Sequence, residues 1–263
     1  MAEAITKANS NFSLAITEKL DSITEALPQN FNKARFVQNA IALLNEKPDL
    51  AKYGQAKIMA GLMRGAMLGL DFYNHEAYLV AYGQDLQYQT SYIGAQKLVK
   101  KYSLKPVKNI YAEIVREDDV FETGIVENKR YITFKPKAFN NKPVVGAFAV
   151  AEFENGDIAI ETMNIDELET VRKASKMGNA GAWKMWTSEM QKKSVIRRLC
   201  KKIEIDFENP EQKALFESET DIETNPQEIR NNEINESANS EDFVVDGEAT
   251  FVEDKPITPP PFA

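Results

Sequence analysis

The sequence predicts an α+β fold, with N-terminal helices, a central antiparallel β-sheet with packed helices, and a largely disordered acidic C-terminal tail. Apolar residues recur at helical spacing up to residue 69, alternate between residues 76 and 164, and return to helical spacing as far as residue 203. The charge then reverses, because residues 204–263 hold 17 acidic and three basic side chains, whereas residues 1–203 hold 23 and 29. Such a polar, acidic segment buries too little apolar surface to offset its ordering entropy.

Three helices are predicted in the N-terminal part of the chain. The first lies within residues 12–27, with apolar positions at Leu14, Leu20, Ile23 and Leu27. Asn32 can cap the second, residues 33–47, which ends before a proline. The third spans residues 54–68, and its glycines permit close backbone approach, with the last as the C-cap: Gly61, Gly65 and Gly69.

Strands are predicted from Glu76 onward. Residues 76–83 and 85–93 alternate around Gly83-Gln84, which indicates a β-hairpin. A helix over residues 93–102 follows, and four or five further strands are expected between residues 106 and 164. Asn155-Gly156-Asp157 is typical of a tight turn between two of them.

Two more helices are predicted after the strands. Asn164 or Asp166 caps a helix that runs through Ser175, and glycines interrupt the pattern between residues 178 and 181. The last helix is expected over residues 183–203. Together these elements divide the chain into a helical lead-in (1–26), a core (27–205) and an acidic tail (206–263).

Composition indicates a cytoplasmic protein without a membrane anchor. Cys200 is the single cysteine, which excludes an intrachain disulfide and suits a reducing compartment. No apolar run approaches the ~18 residues of a membrane span, and no signal peptide pattern opens the chain.

Residues 172–202 concentrate positive charge in a protein whose formal net charge is -8. They hold ten of its 32 lysines and arginines, both tryptophans and a single acid, Glu189. Lys and Arg side chains neutralise phosphates, and aromatic faces stack on bases. The segment therefore favours a polyanionic partner, with a solvated basic helix face as the alternative.

Helical periodicity divides the last helix into two faces. One face is apolar and is expected to be buried, with Val195, Ile196, Leu199, Cys200 and Ile203. The opposite face carries Trp186, Met190, Lys193, Arg197 and Lys201, and a second basic pair borders it, Arg198 and Lys202. For Trp183 and Trp186, packing in the core or between subunits is an equal alternative to base stacking.

Residues 175–199, SKMGNAGAWKMWTSEMQKKSVIRRL, resemble the signature of the RecT family of phage-type single-strand annealing proteins. The first element of that signature is matched by Ser175, Lys176, Gly178, Asn179, Gly181 and Trp183. The second is matched by Met190, Lys192, Lys193, Ile196, Arg197, Arg198 and Leu199. The similarity continues upstream through residues 27–50, 61–83 and 90–122, so it covers residues 27–205. One departure is the missing arginine of the family's Ile-Gly-Tyr-Arg-Gly element, near Gly94.

This resemblance implies a protein that binds single-stranded DNA and anneals it to a complementary strand in homologous recombination, without ATP, cofactor or metal. It implies a fold similar to that of single-strand annealing proteins, and a homo-oligomer, either a ring or a helical filament, that holds the annealed duplex. It also implies a phage or prophage origin in a bacterial host and a partner exonuclease. The end of the tail, residues 252–263, loosely resembles the acidic tip of bacterial single-stranded-DNA-binding proteins, so the host protein of that kind is a further expected partner.

The residues expected to contact DNA come mainly from the basic segment. Lys97, Lys100 and Lys101 are added because they share one helical face where the family arginine is missing, with a solvated face as the alternative. The complete set is Lys176, Lys184, Lys192, Lys193, Arg197, Arg198, Lys201, Lys97, Lys100, Lys101, Tyr92, Trp183, Trp186 and His75.

An enzyme is the competing class of function. Glu117, Asp118 and Asp119 could hold Mg²⁺ in a nuclease, although an exposed loop between strands is the favoured interpretation. No P-loop motif is present, and the only histidine, His75, lies in a polar turn. We therefore expect no catalytic residues.

Overall fold

The computed structural model describes residues 2–175, 178 and 181–218, which contain eight α-helices, seven strands and two short 3-10 helices, Thr24–Ala26 and Pro48–Tyr53. The chain divides into two units, Met1–Asn225 and Pro226–Ala263, and all described residues lie in the first. The helices are α1 Ala2–Ser22, α2 Lys33–Glu46, α3 Gln55–Leu68, α4 Tyr92–Tyr102, α5 Ile165–Ala174, α6 Gly181–Met185, α7 Thr187–Lys202 and α8 Pro210–Ser218. The strands are β1 Ala77–Tyr82, β2 Asp85–Thr90, β3 Val107–Arg116, β4 Val120–Val126, β5 Lys129–Lys135, β6 Val144–Phe153 and β7 Ile158–Asn164.

The α+β prediction is confirmed, with antiparallel strand pairing throughout the described sheets. β1 and β2 form a hairpin, β3, β6 and β7 form a three-stranded sheet in the order β3-β6-β7, and β4 and β5 form a second hairpin. The acidic tail was predicted over residues 206–263; Pro210–Ser218 of it forms α8, and residues 219–263 lie outside the described part of the chain. None of the described helices is long and apolar enough to cross a membrane.

Helices α1 to α3 and the β1–β2 hairpin share one apolar core. The Asn32 side chain caps α2 by accepting a hydrogen bond from the Arg35 amide at 2.9 Å, as predicted. α1 starts ten residues before the predicted helix, and it buries Phe12 and Ile16 while Leu14 is 61% exposed. The predicted apolar face of this helix was therefore placed wrongly at Leu14.

Glycines of α3 allow other elements to approach its backbone closely. A Cβ atom at Gly61 would lie 2.3 Å from Leu79 Cδ2, and one at Gly65 would lie 2.5 Å from the Phe72 ring. Both distances are far below a van der Waals contact, so a side chain at either position would displace Leu79 of β1 or the Phe72 ring of the preceding turn. Gly69 ends the helix in the left-handed conformation (φ 67°), as predicted.

The three-stranded sheet is covered on both faces. On one face lie α4, α5 and α7, whose apolar side chains pack against β3, β6 and β7. On the other face, aromatic side chains of the β4–β5 hairpin pack against the sheet around Phe148, which is 1% exposed. One side of α7 is therefore packed along the three-stranded sheet.

The structure corrects the predicted extent of the last helix. It is two helices, α6 and α7, because Trp186 leaves the helical conformation (φ -133°, ψ 46°). A further helix, α8, lies beyond residue 205 and packs against α3. Gln212 is fully buried there and donates a hydrogen bond to the Met67 carbonyl at 2.9 Å. The sequence did not predict α8, because this segment is acidic and polar and only a few of its side chains contact α3.

Candidate nucleic-acid interface

The apolar face of α7 is buried against the sheet, as the periodicity predicts. Val195, Ile196, Leu199, Cys200 and Ile203 are all at most 9% exposed. Burial raises the pKa of the Cys200 thiol to about 12. Contacts between α7 and a ligand are therefore limited to the side chains outside this buried face.

Two cations that border the apolar face are held by carboxylates of the protein. Arg198 donates from Nε to Glu161 at 2.8 Å and from Nη1 to Glu167 at 2.7 Å. Lys202 donates to the other oxygen of Glu161. The Glu161 side chain, on β7, is only 6% exposed, so its charge requires these partners.

The same network reaches the start of α5. Glu167 forms a capping box with Asn164, in which each residue's backbone amide donates to the other's side chain. Hydrogen bonds from the Asn164 amide and then from Arg198 hold the pKa of Glu167 below its usual value. Arg198 therefore links β7, α5 and α7 through its two ion pairs. This structural role is separate from its predicted contact with DNA, which stays a prediction.

Lys192 is engaged at the other end of α7. Its Nζ lies 3.1 Å from Glu113 of β3 and 3.7 Å from Glu189 of its own helix. Only 27% of its side chain is exposed. This lysine therefore ties the N-terminal half of α7 to the edge of the sheet.

Three further cations of α7 lie on the predicted polar face. Lys193 and Arg197 are partly exposed, and Lys201 is exposed. Each also takes part in at least one interaction within the chain. Since 193, 197 and 201 are spaced by four residues, these side chains follow one line along the helix. We call these three residues the basic stripe.

The two tryptophans have opposite environments. Trp183 of α6 is 2% exposed and packs with the sheet core, which agrees with the packing alternative and leaves its ring no free face. Trp186 is 64% exposed at the junction of α6 and α7, next to the exposed Met185. Lys184 is also exposed. Lys176 lies outside the described residues, so its predicted role stays a prediction.

The lysines of α4 are not equivalent. Lys97 donates to Glu76 at 2.6 Å and to the Gly69 carbonyl at 3.0 Å. Lys101 lies 4.4 Å from the centre of the Tyr102 ring and 3.4 Å from Glu208. Lys100 is exposed. Lys97 and Lys101 line a cleft of about 220 Å³ with residues of α2 and of the turn before β1.

The other predicted contacts are an aromatic residue and a histidine. Tyr92 is partly buried and packs against the core of the sheet. His75 is exposed in the turn before β1, with a positive φ of 58°, and its ring stacks on that of Tyr78 at 6.2 Å. The structure thus places His75 and the α4 lysines on elements other than α7.

Clefts lie at both ends of α7. At the N-terminal end, a groove of about 240 Å³ runs between α7, β3 and the loop after β5. At the C-terminal end, Lys201 and Lys202 line a cleft of about 490 Å³ with residues of α8. The groove at the N-terminal end is lined by Glu113, Ile114, Arg116, Asp119, Pro136, Lys137, Asn140, Ser188 and Lys192.

The acidic cluster between β3 and β4 holds the loop after β5 in place. Asp118 lies 2.7 Å from Lys142 and 3.5 Å from Lys137, and these contacts lower the pKa of its carboxyl. Asp119 accepts from the Lys137 amide at 2.9 Å and from Asn140 at 2.8 Å, and it has a lowered pKa for the same kind of reason. These two carboxylates are therefore occupied by donors of the protein. No metal-binding group of three or more His, Cys, Asp or Glu side chains occurs among the described residues.

Comparison with known proteins identifies the family. The sequence model of the RecT family matches residues 34–235, which is most of the chain. The chain therefore belongs to the RecT family, a family of DNA-binding proteins of recombination and single-strand annealing. A similar relative is Protein RecT of Escherichia coli (strain K12), which is 28% identical over 201 residues, covering 72% of each chain. The predicted resemblance is confirmed, and the match extends beyond its predicted end at residue 205.

Sequence reasoning missed the acidic partners of the basic residues. Glu161 and Glu113 were not predicted, because each lies in a strand where alternation indicates only an outward or inward position. Arg116 and Lys137, which line the groove beside α7, were also missed. These two residues are far from α7 in sequence, and only the fold shows that they lie beside its Lys192.

Proposed function

We propose that this protein binds single-stranded DNA along the basic stripe and anneals it to a complementary strand without ATP. The supporting observation is the division of α7, whose apolar face is buried in the sheet while Lys193, Arg197 and Lys201 lie along the opposite side. Membership of the RecT family supports the same class of activity. The proposed additional contacts are Lys184, Trp186, Lys100 and Lys176.

The chemistry of the stripe suits annealing. Lys and Arg contacts to phosphates release counterions and reduce the repulsion between two strands. These contacts carry no sequence information, and they leave the base edges available for pairing with a second strand. Because α7 packs against the sheet, its cations keep a fixed order along the helix. Successive phosphates of a strand can therefore contact cations that are already in position.

One stripe per subunit gives few contacts, so we propose that the protein acts as a homo-oligomer, a ring or a helical filament. Repetition of the stripe along an oligomer adds weak contacts as avidity. In this proposal residues 1–26 contribute to the contact between subunits, residues 27–205 form the annealing core, and residues 206–263 recruit partners. The partners are an exonuclease that generates single strands and the single-stranded-DNA-binding protein of a bacterial host, in whose cytoplasm a phage-encoded protein of this kind would act.

An annealing assay tests the proposal. Two complementary oligonucleotides, one carrying a fluorophore and the other a quencher, are mixed with and without the purified protein, with no nucleotide added. We expect faster quenching with the protein and unchanged oligonucleotide lengths on a denaturing gel. A rate equal to that of the protein-free control, or a strict requirement for ATP, would contradict the proposal.

The same gel tests the nuclease alternative. Addition of Mg²⁺ should leave both oligonucleotides intact, because Asp118 and Asp119 are engaged by Lys142, Lys137 and Asn140. Mg²⁺-dependent fragments that disappear in an Asp118→Asn variant would instead favour a metal-dependent enzyme.

A further inference from the structure

Phe139 is the most exposed of the large apolar side chains in the described part of the chain, at 99%. It also has a left-handed backbone, with φ at 56°. A bulky residue adopts this conformation at a cost, and exposure of an aromatic ring to water adds to it. Strained residues of this kind persist only where the surrounding structure imposes them.

The loop around Phe139, residues 136–143, is held firmly on both sides. Asp119 accepts a hydrogen bond from the Lys137 amide at 2.9 Å. Asn140 donates to the Glu117 carbonyl and to Asp119, each at 2.8 Å. These contacts lie on either side of Phe139, so they hold the loop that carries the exposed ring.

The position of this ring relates it to α7. Lys137 and Asn140, two residues before and one residue after Phe139, line the groove of about 240 Å³. Ser188 and Lys192 of α7 form another part of its lining. Phe139 and Trp186 do not line the groove themselves, but each is within two residues in sequence of a residue that does.

The charge of this region matches a polyanion. The groove is lined by three cations, Arg116, Lys137 and Lys192, and by two carboxylates, Glu113 and Asp119. Both carboxylates are engaged within the chain, since Glu113 contacts Lys192 and Asp119 accepts from the Lys137 amide and from Asn140. A negatively charged ligand is therefore favoured over an acidic or neutral surface of a protein.

We propose that Phe139 stacks on a base of single-stranded DNA that passes through the groove between the 136–143 loop and α7. This inference rests on the proposed function and extends it to a second element outside the basic stripe. Stacking on an aromatic ring is independent of sequence, because every base has a π-face. Because the loop is already held by hydrogen bonds, its backbone adds little ordering cost on binding.

A contact with a second copy of the chain is the competing use of an exposed ring. The two uses differ in what they require of the ligand, since stacking needs a base and a subunit contact does not. The test therefore compares Phe139→Ala with wild type on a normal oligonucleotide and on one of equal length with abasic sites. Ile125→Ala is the matched control, because Ile125 is 65% exposed on the adjacent hairpin.

Binding is measured by fluorescence anisotropy of the full-length protein, with its size followed by sedimentation. We expect Phe139→Ala to weaken binding of the normal oligonucleotide by about fivefold or more. The salt dependence should stay unchanged, because no charge is removed. The loss should largely disappear on the abasic oligonucleotide, and Ile125→Ala should bind like wild type.

Three results would overturn the inference in distinguishable ways. If wild type binds and Phe139→Ala binds equally well, the stacking inference fails alone. If Phe139→Ala forms smaller particles and loses affinity equally on abasic DNA, the ring contacts a second copy instead. If wild type binds neither oligonucleotide, the proposed function fails with it.

Discussion

Replacement of Arg198 tests whether a cation of the family motif stabilises the fold. Its side chain, 35% exposed, donates at 2.8 Å to Glu161 and at 2.7 Å to Glu167. A hydrogen bond to a charged group contributes about 1.5–3 kcal/mol, and Arg198→Ala leaves the buried Glu161 with Lys202 alone. We expect the free energy of unfolding to fall by about 2–3 kcal/mol, given the partial exposure.

The assay is a thermal melt, with circular dichroism as the signal. For a unit of this size, that loss should lower the midpoint by about 4–12 °C. Lys184→Ala is the control, because this exposed cation should change stability by no more than about 0.5 kcal/mol. Arg198→Lys should fall between wild type and Arg198→Ala, since one ammonium group cannot reproduce both guanidinium contacts.

The difference should depend on pH with a definite sign. The pKa of Glu167 is lowered in the folded state, first by the Asn164 amide and then by Arg198. Stabilisation of this kind is present at neutral pH and is lost as the pH falls below about 4.5, the ordinary pKa of glutamate, through the lowered folded value. The difference in melting midpoint between wild type and Arg198→Ala should therefore become smaller in acid. A variant that melts like wild type at pH 7 but loses DNA affinity would refute the packing role.

Three other predictions follow from single buried sites. Gly94→Ala should destabilise the fold by about 1–3 kcal/mol, because the added Cβ would lie 2.1 Å from the Glu76 carbonyl oxygen. Urea unfolding measures this loss, and an unchanged unfolding transition would contradict this packing. Cys200 should react with a thiol reagent only as the protein unfolds, since burial raises its pKa to about 12, and rapid labelling of the native protein would show that this face of α7 is open. Gln212→Ala should release α8 and increase hydrogen exchange there, because the variant loses the bond to Met67, whereas unchanged protection would mean that this bond does not hold the helix.

Local patterns were enough to predict the elements that rest on local physics. The Asn32 cap, the left-handed Gly69 and the apolar face around Leu199 all follow from side chains close in sequence, and the structure confirms them. The two faces of the candidate site were predictable for the same reason, since helical periodicity alone places them.

Contacts between distant parts of the chain could not be predicted in this way. Arg198 pairs with Glu161, and no local pattern indicates which strand carries the partner of a basic side chain. The break at Trp186 has a similar origin, because the sequence around it has good helical periodicity while the core takes up the ring of Trp183. Docking of α8 depends on Gln212 reaching a carbonyl of α3, which composition does not reveal.

A salt titration of oligonucleotide binding tests most directly whether the basic stripe binds DNA. The test variant combines Lys193→Ala with Arg197→Ala, which removes two cations and leaves the buried face of α7 intact. Leu199→Ala is the opposite change, because it should cost about 2–5 kcal/mol of stability as a buried cavity while the basic stripe keeps its charges. A thermal melt of each variant accompanies the titration.

If each of the two cations contacts one phosphate, the double variant should bind all sequences more weakly, with a salt dependence that is lower by about 1.4 in log–log slope. Leu199→Ala should keep the wild-type slope at temperatures where it remains folded. A double variant that retains both the affinity and the salt slope of wild type would contradict the account, and would place the DNA groove away from the basic stripe.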